Sequence, residues 1–141
     1  MTYIQWFEMH GDKHHHLTQK LIEEGLSQDE IIAYFRFENM VEKEQGFCEL
    51  YKTNTKCHDM KDLNCYLCAC PNFRFTMEPK LKDGKRIHSH CSIDSKDGAI
   101  FEYENNIHQD CSGCLVPHSE SYIAKNFNIN WRDIMENCTK S

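Results

Sequence analysis

Cysteine and histidine occur in four short groups between residues 57 and 118, and this pattern limits the possible folds more than any other feature. The chain has nine of each residue type among 141 residues. Nine cysteines cannot all pair within one chain, and the amino terminus has neither the basic start nor the apolar run of a signal peptide. We therefore expect a cytoplasmic protein, in a reducing compartment where clustered cysteines bind metal or act in catalysis. The groups are Cys57-His58, Cys65-x-x-Cys68-x-Cys70, His88-x-His90-Cys91 and Cys111-x-x-Cys114-x-x-x-His118.

Two Cys-x-x-Cys pairs give the strongest signal within this pattern. Cys65 and Cys68 form the first pair, and Cys111 and Cys114 form the second. A tight turn at this spacing directs both sulfurs at one ion, so two pairs supply a complete tetrahedral shell. The other donors would be surplus around one ion, and we expect four of them to form a second site, with Cys70 linking the two. That second set is drawn from Cys57 or His58, with Cys70, Cys91 and His118.

Zinc is the expected ion, as one or two ions with two favoured, because it accepts mixed thiolate and imidazole ligands. An iron–sulfur cluster is the minor alternative, since the cysteine spacing matches neither ferredoxin pattern. Closed shells favour a structural role, and no catalytic residue is assigned. The alternatives are a protein that senses, stores or transfers zinc or nickel, and a zinc enzyme with an open site. His118-Ser119-Glu120 lies in the wrong order for a nucleobase deaminase, and we expect Glu120 to be a solvated helix residue.

The predicted fold class is α+β, with a helical pair preceding a small metal-stabilised, zinc-finger-like domain of short hairpins and short C-terminal helices. Residues 1–46 contain no cysteine and form the predicted helical extension, with helices from His14 to Glu24 and from Ser27 to about Glu44. Residues 47–141 form the predicted cysteine-rich domain. The second helix has a broad apolar face that must pack on this domain or on a second chain, which allows a homodimer through the N-terminal helices.

Alternation and turn residues predict short strands in the cysteine-rich domain. Residues 73–77 alternate between apolar and polar side chains, which is typical of a strand with one buried face. Asp-Gly pairs at 83–84 and 97–98 predict tight turns, with a strand from Ala99 to Tyr103 leaving the second. The remaining predicted elements are a strand over Phe47–Lys52 and helices over Ser119–Phe127 and Asn130–Asn137.

Charge and hydropathy restrict the partners. The net charge of −6 disfavours DNA and RNA, whose phosphates attract basic proteins, and we expect a protein partner. No apolar run approaches the ~20 residues of a membrane helix. His10, His14, His15 and His16 could bind metal but are expected to form an exposed polar run. Cys48 and Cys138 have no partners at ligand spacing and are expected to be small buried hydrophobic residues.

The order of these motifs resembles the zinc-finger-like "cysteine-rich small domain" family. The resemblance covers roughly residues 47–125 and implies a metal-binding domain of undefined biochemical role, some members being associated with cobalamin-related functions. The family's pattern has an earlier cysteine a few residues before the Cys-His pair, and the nearest one in this chain is Cys48, nine residues upstream. The matching motifs are Cys57-His58, Asn64 to Pro71 (Asn-Cys-x-x-Cys-x-Cys-Pro), Cys91, and Asp110 to His118.

Overall fold

Helices and small sheets together form the computed structural model of the chain, which describes residues 2–76, 80–93, 95–111 and 113–139. This content confirms the predicted α+β class. The α-helices are α1 (Tyr3–Glu23), α2 (Gln28–Tyr34), α3 (Phe37–Lys43), α4 (Glu120–Lys125) and α5 (Trp131–Ile134), with 3₁₀ turns at Glu49–Thr53 and Val116–His118. The strands are β1 (Phe73–Phe75), β2 (Leu81–Lys82), β3 (Lys85–Ile87), β4 (Ser89–Cys91), β5 (Ala99–Tyr103) and β6 (Asn106–Asp110).

The first helix is longer than predicted, because it begins at Tyr3 rather than at His14. Thr2 and Gln5 form a capping box, in which the Thr2 hydroxyl accepts from the Gln5 backbone and the Gln5 side chain accepts from Thr2 N at 2.8 Å. The helix ends before Gly25, whose φ of +85° suits glycine. Since α1 runs through residue 11, it carries His10 and His14 on the same face.

The second predicted helix is broken into α2 and α3. The capping box that Ser27 and Glu30 form at its start is present as expected. At the break, Phe35 O accepts a hydrogen bond from Cys65 N at 2.8 Å, and Phe37 N donates to Leu63 O at 3.0 Å. The prediction of one continuous helix is wrong because these long-range bonds replace helical ones. They attach the helical part to the segment that contains the first cysteine pair.

The strands form two small sheets, β1-β4 and β2-β3-β6-β5. The predicted hairpin around Asp83-Gly84 joins β2 and β3, with φ of +53° and +78° at the two turn residues. Strand β5 is present as predicted, but its hairpin partner is β6, around a tight turn at Glu104-Asn105. In β1, Phe73 and Phe75 are buried as expected, while Met77 lies outside the described residues.

Two further predictions concern short elements. The predicted strand over Phe47–Lys52 is wrong, because the chain makes a 3₁₀ turn there that ends at Asn54 in the left-handed conformation. The two C-terminal helices are present and begin directly after their predicted caps, Ser119 and Asn130, but they end earlier than predicted, at Lys125 and Ile134.

One apolar core includes residues from both predicted segments. Leu17 and Leu21 of α1 belong to the same buried cluster as Tyr66, Leu67 and Trp131. Cys138 is fully buried as expected, and its thiol donates to the Cys70 carbonyl at 3.6 Å. Within the described ranges, no helix is both long and apolar enough to cross a membrane.

Candidate metal centre

Cys57, His58 and His118 bring three potential ligand atoms together, all within 4.8 Å of one another. The Cys57 sulfur lies 3.0 Å from His58 Nδ1 and 3.7 Å from His118 Nε2. His118 is buried and Cys57 is exposed, so the group extends from the interior to the surface. Three donors at this separation can approach a single ion, although they come from segments sixty residues apart.

The hydrogen bonds of both imidazoles fix which nitrogen is free for a metal. His118 Nδ1 lies 2.8 Å from Asn64 O, and His58 Nε2 lies 3.0 Å from Cys111 O. A carbonyl only accepts, so these nitrogens carry the hydrogens. The lone pairs of His118 Nε2 and His58 Nδ1 therefore face Cys57. Metal-binding histidines commonly have this arrangement, in which the second nitrogen donates to a fixed acceptor.

Asn64 holds His118 in place through hydrogen bonds of its own backbone N–H and carbonyl groups. Its N–H donates to His118 O at 3.2 Å while its carbonyl accepts from the His118 ring. The buried Asn64 side chain donates to Ile32 O at 2.8 Å and accepts from Tyr66 N at 2.9 Å. The backbone of Asn64 thus binds the centre, while its side chain binds the core.

Glu120 is part of the same support and is not merely a solvated helix residue. Arg36 donates to both of its carboxylate oxygens, at 2.7 and 3.0 Å, and Asn64 donates to it at 3.3 Å. The Arg36 hydrogen bonds are the main reason that the pKa of the Glu120 carboxyl is below its usual value. Sequence reasoning missed this pair because the two residues are 84 positions apart.

A first group of thiols lies near this centre. The interaction between the Cys65 and Cys68 side chains lowers the pKa of Cys65 and raises that of Cys68. The pKa of Cys57 is raised to about 12, mainly because its sulfur is desolvated, although the residue as a whole is exposed. The nearby Cys65 and Cys48 raise this pKa further. Cys48 is half-buried and belongs to this neighbourhood, which its position in the sequence does not show.

A second group of thiols consists of Cys70, Cys91, Cys111 and Cys114. Burial raises the pKa of Cys70, and Cys91 and Cys114 add to the effect. The pKa of Cys111 is raised to about 11, mainly by burial and further by Cys70, Cys91 and Cys114. The expected arrangement placed Cys111 and Cys114 with the first Cys-x-x-Cys pair. In the folded chain Cys111 interacts electrostatically with Cys70, Cys91 and Cys114, and the β1-β4 pairing places Cys91 opposite Phe73, close in sequence to Cys70. The expected sharing of one ion by the two Cys-x-x-Cys pairs stays a prediction.

A cavity of about 860 Å³ lies between these groups and the start of α1. Its volume is in the range of sites that bind small molecules. Metal-ligand candidates from both groups and apolar side chains face it, among them Cys57, His118, Cys70, Tyr3, Phe73 and Val116.

His10 and His14 lie in the core and are not part of an exposed run. They are 2% and 0% exposed, among the rings of Trp6, Phe47 and Trp131. His14 Nε2 contacts Tyr66 O at 3.0 Å, whereas His14 Nδ1 and both His10 nitrogens have no hydrogen-bond partner in the part of the chain that the structure describes. Burial lowers the pKa of His10 to about 4 and that of His14 to about 3. Both rings are therefore neutral at pH 7.

Comparisons with known protein families, curated proteins and solved structures found no match.

Proposed function

We propose that this chain is a zinc-binding protein whose two ions hold the cysteine-rich half in its fold, so that it presents a stable surface to a protein partner. The observation that supports this most is the approach of Cys57, His58 and His118 to one point, with the second nitrogen of each imidazole fixed by a backbone carbonyl. The resemblance to the cysteine-rich small domain family also implies metal binding, with no defined biochemical role.

The thiol groups suggest how the ligands divide between two ions. One ion would take ligands from Cys57, His58 and His118, with a fourth ligand from Cys65, Cys68 or Cys48, which interact electrostatically with Cys57 or with one another. The other would be held by Cys70, Cys91, Cys111 and Cys114. Four protein ligands around each ion form a closed shell, which is typical of structural zinc.

The small sheets explain why a structural ion would be needed. In the four-stranded sheet, all of whose residues are described, only Ile107 is buried. A structural zinc contributes on the order of 10–16 kcal/mol of apparent binding free energy, which can replace a missing apolar core.

A metal-handling function is the second candidate, and the exposure of Cys57 supports it. Although its sulfur is desolvated, this residue lies at the surface, where a chelator or an acceptor protein can reach a bound ion without unfolding of the chain. The two candidates differ in the rate at which the ion at Cys57 exchanges.

Elemental analysis of the untagged protein tests the proposal. We expect two zinc ions per chain, and about one after Cys57→Ser with His118→Asn or after Cys70→Ser with Cys91→Ser. His90→Asn is the matched control, because His90 is exposed and outside the Cys57–His118 cluster, and it should keep both ions. A metal-free protein that is fully folded by circular dichroism would refute the proposal.

Transfer of zinc to a coloured chelator at neutral pH then separates the two candidates. Slow loss of both ions supports a structural function. Rapid loss of one ion from a chain that stays folded supports metal handling, and that fast phase should disappear in the Cys57→Ser variant.

A further inference from the structure

Strand β5 lies at the edge of the four-stranded sheet with every residue exposed. Ile100, Phe101 and Tyr103 are 64%, 55% and 64% exposed, although their side chains are large and apolar or aromatic. Strand β5 pairs with β6 along its five residues, and its other edge has no strand partner among the described residues. An edge of this kind offers backbone N–H and C=O groups to another strand.

The features that usually protect an edge strand are missing from β5. Its sequence AIFEY contains no proline and no lysine, and its one charged residue, Glu102, pairs with Lys85 of the same sheet at 2.7 Å. The opposite edge, β2, has two residues and includes Lys82. Strand β5 is therefore the edge that can accept a further strand.

The face of the sheet that carries Phe101 and Tyr103 also carries one exposed apolar side chain at its opposite edge. Phe101 and Tyr103 alternate with Glu102 and so project from the same face. The register places Tyr103 beside Asn106, Asn106 beside Arg86, and Arg86 beside Leu81, which is 70% exposed. A partner that extended the sheet could also cover part of this face.

We propose that β5 pairs antiparallel with β5 of a second copy of the chain about a two-fold axis at Phe101, which joins two four-stranded sheets into one of eight. This axis pairs the central aromatic residue of the strand with its own copy. Phe101 faces Phe101 of the second copy, Ala99 faces Tyr103, and Ile100 faces Glu102. Aromatic pairs directly opposite each other stabilise antiparallel strands, and a shift by one register step would place Glu102 against Glu102.

The symmetry and the charge of the chain determine how such a dimer behaves. The same patch is used on both copies, so the contact closes at two chains and does not form a filament. Each copy has a net charge of −6, so the two repel each other at low ionic strength. Association should therefore strengthen as salt screens this repulsion.

Sedimentation velocity of the full chain, with zinc and a reductant present, tests the inference over a series of concentrations. We expect a monomer–dimer equilibrium that Phe101→Lys weakens by about 100-fold. Leu81→Lys is the matched control, because it puts the same charge on the same face at the other edge, and it should leave the dimer intact. Phe101→Thr, which favours strands, replaces Phe101→Lys if the lysine variant does not fold.

A wild-type chain that stays monomeric throughout would overturn the inference, as would an equal effect of the Phe101 and Leu81 variants. Monomeric protein containing two zinc ions would reject the dimer and leave the metal proposal standing. Dimeric protein that contains no zinc would support the dimer and reject the metal proposal.

Discussion

At the scale of single residues, His10 and His14 are buried as neutral rings. This burial predicts how the free energy of unfolding depends on pH. Their pKa values in the folded chain, about 4 and about 3, lie below the value near 6.5 of an unfolded histidine. Below pH 6.5 the unfolded chain therefore binds more protons than the folded chain. Their contribution to the free energy of unfolding is complete above pH 6.5 and is lost as the pH falls. Lys13 is a further positive charge that disfavours protonation of His10.

We expect each histidine to lower the free energy of unfolding by about 1.4 kcal/mol per pH unit between pH 6 and pH 5. Urea unfolding at several pH values measures this slope. His10→Phe keeps an aromatic ring that cannot be protonated and should reduce the slope by about one proton, whereas His16→Gln, at an exposed position, should not. An unchanged slope in His10→Phe would show that His10 is not a neutral buried group.

At the scale of elements, α1 packs against α5 so closely that residue 11 must be glycine. A Cβ at Gly11 would lie 2.9 Å from Trp131 Cζ3, in a buried ring that cannot move aside, and 2.8 Å from Arg132 Nη1. Gly11→Ala should destabilise the protein by about 1–3 kcal/mol, even though alanine favours an isolated helix by ~1 kcal/mol. Thermal unfolding of the variant measures the difference.

Gly46→Ala is the control for this substitution. Its φ is outside the left-handed region, and no described atom lies within 4 Å of its added Cβ, so the melting temperature should change little. A Gly11→Ala chain more stable than wild type would show that α1 and α5 are further apart than the structure has them.

The elements differ in how well local sequence predicts them. The capping signals at Ser27 and Asn130 mark true helix starts, and Asp83-Gly84 marks a true turn, because these features act within a few residues. Helix α4 also begins after Ser119, although the Ser119 side chain makes no capping hydrogen bond. Thr2 and Gln5 carry the same capping signal for α1, and sequence reasoning did not use it. No local signal predicts the break at Phe35, since its hydrogen-bond partner is Cys65.

At the scale of the whole molecule, the apolar core and the sheets are unequally stabilised. The largest buried side chains lie on the helices and between Leu63 and Leu67, whereas β5 is entirely exposed. Removal of zinc should therefore affect the two regions differently. We expect β2 to β6 to lose protection from hydrogen exchange while α1 retains most of its own.

Mass spectrometry of hydrogen exchange with and without a strong zinc chelator measures this difference. The Cys70→Ser with Cys91→Ser variant should show the same loss in β4 and β6 without chelator. Equal protection in both states would mean that metal does not support the sheets, and simultaneous loss in α1 would mean that the fold is one cooperative unit.

The sequence by itself determined the α+β class, the ends of several helices and the set of cysteines and histidines available to a metal. Those features depend on backbone geometry and on residue chemistry within a few positions. Only the tertiary structure decided that Cys57, His58 and His118 approach one point, that Arg36 pairs with Glu120, and that His10 and His14 are buried. The reason is that each of these neighbourhoods is formed by contacts between distant segments, whose energies no local pattern of residues encodes.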